Sequence, residues 1–95
     1  MVINVTGRHF KVWPELHEVA VEAATKFSKL NEHITRTDIV LSEEHGKFAE
    51  FTVHVNSHIY NASDSAENFD RSIHTAADKI IVQLRKLKEK QSDHR

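Results

Sequence analysis

Lys79, Arg85, Lys86, Lys88 and Lys90 put five cations between residues 79 and 90, against a single anion, Glu89. That stretch carries +4 in a 95-residue chain of formal net charge −1, so the remainder carries −5. Charge gathered in this way makes a surface for anions, and above all for phosphates. At about 100° per residue on a helix, Lys79, Lys86 and Lys90 share one flank, while Arg85 and Lys88 fall elsewhere. A cationic last turn is favoured by the helix macrodipole alone. Lys79 lies near mid-helix, where the macrodipole gives no reason for it. A face of this kind tracks phosphates with salt-dependent affinity and little base specificity, and A-form RNA is read largely by shape.

Other chemistry finds no foothold. Eight histidines invite a metal reading, but H-E-x-x-H and clustered carboxylate–histidine spacings are absent, and His54 and His58 fall on opposite faces of a strand pair. No G-x-S-x-G, P-loop or dinucleotide fingerprint occurs, and glycine stands only at 7 and 46, so no glycine-rich phosphate cradle can form. Glu43 and Glu44 are adjacent and read as solvated turn charges. A binding protein without catalytic residues, metal, cofactor or small-molecule substrate is expected. Tyr60 and Trp13 have rings that stack on bases, but core or staple positions suit them better.

The elements that must hold this cationic run can be read from periodicity. Ninety-five residues, 39% hydrophobic and 28% charged, make one globular domain with a modest core. There is no cysteine, no apolar run of membrane-spanning length and no signal-peptide pattern, which points to the cytoplasm and away from membranes. Residues 1–6 read as a strand ended by Gly7. Pro14 suits the first turn of a helix running to about Leu30, with Leu16, Val19, Ala20, Ala23, Phe27 and Leu30 inward. Lys26, Lys29 and His33 lie on one flank of it, mixed with Glu18 and Glu22. Residues 36–43 read as a strand and 44–47 as a turn. Residues 48–55 alternate, with Ala49, Phe51, Val53 and Val55 inward and Glu50, Thr52 and His54 outward. Asn56-Ser57 is a two-residue hairpin loop and 58–63 a returning strand. Asp64 or Ser65 would cap a last helix from Ser65 to Lys90, whose stripe is Phe69, Ile73, Ala76, Ile80, Leu84 and Leu87. The predicted fold is an α+β two-layer sandwich, β-α-β-β-β-α, with a four-stranded sheet and two helices packed on one face. It occupies residues 1–90, followed by a frayed tail at 91–95.

The opening I-N-V-T-G-R-H (Ile3 to His9), Pro14 at the start of the first helix, and the closing A-D-K-I-I-V-Q-L-R-K-L-K-E-K (Ala77 to Lys90) resemble the ribosome hibernation-promoting factor family. That family is also called ribosome-associated inhibitor or sigma-54 modulation protein. The resemblance implies binding to small-subunit rRNA at the subunit interface, over the mRNA channel and tRNA sites. It implies inhibition of translation and preservation of idle ribosomes in stressed or stationary cells. With the chain ending at 95, the short form is the one resembled, which implies ribosomal proteins and a separate ribosome modulation factor as further partners. By position, the implied rRNA contacts are Lys79, Arg85, Lys86, Lys88 and Lys90, then Lys26 and Lys29 on the first helix, then Arg8. Four positions depart from the family's habit. Val82 stands where an arginine is usual, Ala23 where a lysine is frequent, Trp13 in place of a Ser/Thr cap, and His74 in place of a common Asp. The Val82 departure raises a second expectation, a protein–protein adaptor that keeps the fold and uses an apolar patch at Ile81 and Val82.

Overall fold

The computed structural model describes the backbone of residues 1–92 and the side chains of residues 1–87. Its elements are β1 (Val2–Arg8), α1 (Pro14–Leu30), β2 (Ile34–Ser42), β3 (Lys47–Val55), β4 (His58–Ala66) and α2 (Phe69–Ser92). The sheet order is β1-β2-β3-β4, with β1 parallel to β2 and the other pairs antiparallel. This is the expected β-α-β-β-β-α sandwich. Because the side-chain period of a strand is two, one sheet face gathers Ile39, Leu41, Ala49, Phe51, Val53, Val55 and Ala62. Both helices lay their apolar stripes on that face: Leu16, Ala20, Ala23, Ala24 and Phe27 from α1, and Phe69, Ile73, Ala76, Ala77, Ile80 and Leu84 from α2. Across the two layers, Phe27 and Phe51 meet edge to face with centroids 5.7 Å apart.

One boundary differs materially from the sequence reading. β4 runs on to Ala66 because all nine residues of β3 find partners, down to Lys47 opposite Ala66. Asp64 and Ser65 are therefore strand residues, and the helix cap is Asn68. Its side-chain oxygen accepts the Arg71 N–H at 2.8 Å, and its carbonyl accepts the Ser72 N–H at 3.2 Å. β1 likewise continues through Gly7 to Arg8, and β2 starts at Ile34. Gly7 sits where a Cβ would lie 2.3 Å from the Phe10 carbonyl oxygen, so the chain folding back behind β1 requires glycine there. α2 continues to Ser92, and the rest of the tail expected at 91–95 lies outside the described residues.

Trp13 does precede the first helical residue without a side-chain capping bond. It packs instead against the rings of Phe69 (6.1 Å) and Phe10 (6.3 Å), while Phe10 stacks on Phe69 at 5.6 Å. An aromatic clasp thus joins the entry of α1 to the entry of α2, which a capping hydroxyl would not do.

The opposite face of the sheet is polar. Asp38 at its centre accepts the Asn4 amide N–H and the Arg36 Nε–H, both at 3.0 Å, and His54 Nε2 lies 3.3 Å away. The Asn4 bond first, then the Arg36 charge and His54, hold this carboxyl below its ordinary value of 3.8. A carboxylate depressed by folding stabilises the native state above its unfolded value, and that stabilisation is lost as pH falls through the folded value. Asp38→Asn should therefore lower the melting temperature at neutral pH, with the deficit shrinking below pH of about 3.8. Thermal melts across that range are the check. A deficit constant with pH would show that ionisation of Asp38 does not contribute to stability.

Candidate nucleic-acid interface

α2 lies across β3 and β4, and its Lys79 side reaches the free edge of β4. The Lys79 ammonium donates to the Ser63 carbonyl at 2.8 Å and stands 3.8 Å from an Asp64 oxygen. One turn on, Gln83 Nε2 donates to the Asn61 carbonyl at 3.3 Å. Both carbonyls belong to the edge strand, whose outward groups would otherwise meet only water or another strand. Lys79 therefore has a structural reason for its mid-helix position. It is also a cation held in one place, with donors to spare beyond the one given to Ser63.

From this contact a groove runs between α2 and β4. Asn61, Ala62, Ser63, Lys79, Val82 and Gln83 line its first part. His58, Tyr60, Gln83, Lys86 and Leu87 line the adjoining slot. Lys79 and Lys86 are thus brought to one side of the helix, as the helical angles require, with Gln83 between them. Arg85 is exposed on a different side. Lys26 and Lys29 are exposed on α1, and Arg8 is exposed at the end of β1, opposite Ser42 in register. The side chains of Lys88 and Lys90 lie outside the described residues.

Pairing divides the basic residues into engaged and free ones, with Lys79 among the engaged. Arg36 is tied to Asp38 at 3.0 Å and Lys47 to Glu43 at 2.8 Å. Among the described residues, Arg8, Lys26, Lys29, Arg85 and Lys86 take part in no ion pair, and the same holds for Lys11 and Arg71. An exposed unpaired cation is the kind that exchanges a condensed counterion for a phosphate contact. Gln83 and Asn61 have no signature in the sequence, because their role depends on β4 being the edge beside α2. The apolar patch expected at Ile81 and Val82 does not form. Ile81 packs against the core, and Val82 alone is open, at 50% exposure.

Residues 3–92 match the family model described as sigma 54 modulation protein / S30EA ribosomal protein. A ribosome hibernation promoting factor from Klebsiella oxytoca is 27% identical over 95 residues, covering 99% of this chain and all of that one. One from Salmonella typhimurium is 30% identical over 98 residues, with the same coverage. A ribosome hibernation promotion factor from Picosynechococcus is 32% identical over 95% of this chain, which spans 50% of that relative. In fold, the chain superposes on a ribosomal subunit interface protein from Coxiella burnetii with a TM-score of 0.86 at 20% identity, covering 94% of this chain and 99% of that one. It superposes on the N-terminal domain of Thermus thermophilus Protein Y with a TM-score of 0.84 at 16% identity, covering 92% and 99%.

Proposed function

Because the chain belongs to the sigma 54 modulation protein / S30EA ribosomal protein family, we propose that it is a ribosome hibernation factor that binds small-subunit rRNA at the subunit interface. The family is one of ribosome-associated proteins and is not an enzyme family. On this reading the protein occupies the mRNA channel and tRNA sites, inhibits translation, and stabilises idle ribosomes in the cytoplasm of stressed or stationary cells. Ribosomal proteins and a separate ribosome modulation factor are its further partners.

The observation that carries the reading is the match over residues 3–92 in a chain whose two helices present exposed cations, Lys26, Lys29, Arg85 and Lys86, in no ion pair among the described residues. Arg85 and Lys86 on α2, with Lys26 and Lys29 on α1, supply the phosphate contacts. Lys79 contributes from its fixed position on the edge of β4, Lys88 and Lys90 extend the site along α2, and Arg8 adds a contact at the end of β1. None of these side chains performs covalent chemistry. Binding alone is the mechanism: a protein lodged where mRNA and tRNA must pass excludes them by occupancy.

Co-sedimentation with purified ribosomes tests this directly. The protein should pellet with the small subunit at low salt and be released as salt rises, with log affinity falling by roughly 0.7–0.9 per phosphate contact for each decade of salt. Failure to pellet at any salt concentration would sink the reading.

A further inference from the structure

We propose that the slot between α2 and β4, lined by His58, Tyr60, Gln83, Lys86 and Leu87, takes one unpaired nucleobase of RNA; this rests on the rRNA-binding reading above and adds a subsite to it.

The slot has a volume of about 320 Å³ and is open to solvent along its mouth. Its walls are chiefly apolar, the Tyr60 ring and the Leu87 side chain, both packed at their inner ends against the core. The His58 ring lies 6.2 Å from that of Tyr60, tilted by 37°, so two aromatic faces stand at the same mouth. A flat π-system can stack on aromatic surface of this kind, and base–aromatic stacking is tolerant of base identity because every base has a π-face. The polar groups are few and placed at the rim. Gln83 gives its Nε2 to Asn61, which leaves its amide oxygen as an acceptor for a base edge. Lys86 has no ion-pair partner among the described residues and lies within reach of the phosphate of whatever base enters.

The neighbouring groove continues the path. Lys79 precedes Lys86 by two helical turns, about 10 Å along the axis at 1.5 Å per residue. A strand with a base in the slot would meet Lys86 at one phosphate and Lys79 at a neighbouring one. Val82, open between them, presents a neutral aliphatic surface to the sugar. The same arrangement disfavours duplex. Paired bases are stacked inside their helix and cannot enter a slot, whereas bases of loops and bulges can be splayed out onto aromatic side chains. This subsite therefore distinguishes unpaired from paired RNA, which the phosphate contacts alone do not.

The chain holds a single tyrosine, so its ring resonances form a unique signal. Titration of the wild-type protein with hexamers of uridylate or adenylate should move the Tyr60 ring protons upfield, and an RNA duplex of equal length should not. Tyr60→Leu should weaken hexamer binding about tenfold with the salt slope unchanged, and Tyr60→Phe should retain it. Lys86→Gln should reduce the salt slope by roughly 0.7. Melting curves of each variant verify the fold, and the ring-shift measurement on wild type needs no variant. Equal response to duplex, or a Tyr60 ring that ignores the hexamers while ribosomes still pellet the protein, would overturn the subsite and leave the ribosome reading standing. Ribosome binding that depends on Tyr60 without any ring shift from naked RNA would assign the slot to a ribosomal protein side chain, and would also overturn it. Loss of both the shift and the pelleting would overturn the subsite together with the reading it rests on.

Discussion

Changing Lys26, Lys29, Arg85 and Lys86 together to glutamate should abolish pelleting with ribosomes, lowering affinity by roughly three to four orders of magnitude near 0.1 M salt. The magnitude follows from counterion release: each phosphate that no longer meets a cation forfeits about 0.9 log units per decade of salt below 1 M. The fold should survive. All four side chains are exposed, and among the described residues none is hydrogen-bonded or ion-paired. Lys79 stays as it is in this variant. A glutamate there would face the Ser63 carbonyl that now accepts from the ammonium, and would stand beside Asp64, so a binding defect could not be separated from damage to the β4 edge. The measurement is sedimentation at several salt concentrations, with circular dichroism to check the fold. Undiminished binding by a folded variant would exclude the two helices as the contact surface.

Phe27→Ala should cost about 3–5 kcal/mol, the usual range for a fully buried aromatic. Phe27 is 0% exposed and is the largest side chain that α1 contributes to the core. The rest of its buried stripe is Leu16 and three alanines, Ala20, Ala23 and Ala24. Small residues let the helix sit close to the sheet but offer little surface to replace a missing ring. For a domain of this size, total stability of about 5–15 kcal/mol is ordinary, so the variant would sit near the edge of folding. Urea denaturation should show the midpoint falling sharply with the slope nearly constant. Val82→Ala, at an exposed position, should stay within about 0.5 kcal/mol of wild type. A cost for Phe27→Ala below about 1 kcal/mol would contradict its placement between the layers.

How much of this can be read from the chain depends on where the information sits. The alternation Ala49, Phe51, Val53, Val55 names the inner face of β3 because a strand's period is local. The stripes of α1 and α2 are legible for the same reason. The start of α2 is not. Ser63 to Glu67 contains good capping residues, and only the pairing with β3 makes it strand up to Ala66. Asn68, directly before Phe69, is a cap in plain view, but Asp64 and Ser65 compete with it on residue type alone. The cations are legible as a cluster. Their division into free and engaged ones is not, since Lys79 meets Ser63 only once β4 lies beside α2. The slot at Tyr60 is a product of the same packing and has no counterpart in spacing.

The aromatic clasp at the helix entries has a practical corollary. Trp13 is the chain's one tryptophan, it is 45% exposed, and it touches Phe10 nearby in sequence and Phe69 far from it. Its emission therefore reports, without any label, whether the second helix has docked onto the first connection. In a stopped-flow refolding experiment that signal would time the closure of the long loop between Trp13 and Phe69, while far-ultraviolet dichroism times the helices themselves. The residue that displaced a helix cap thus equips the molecule with a built-in clock for its own assembly.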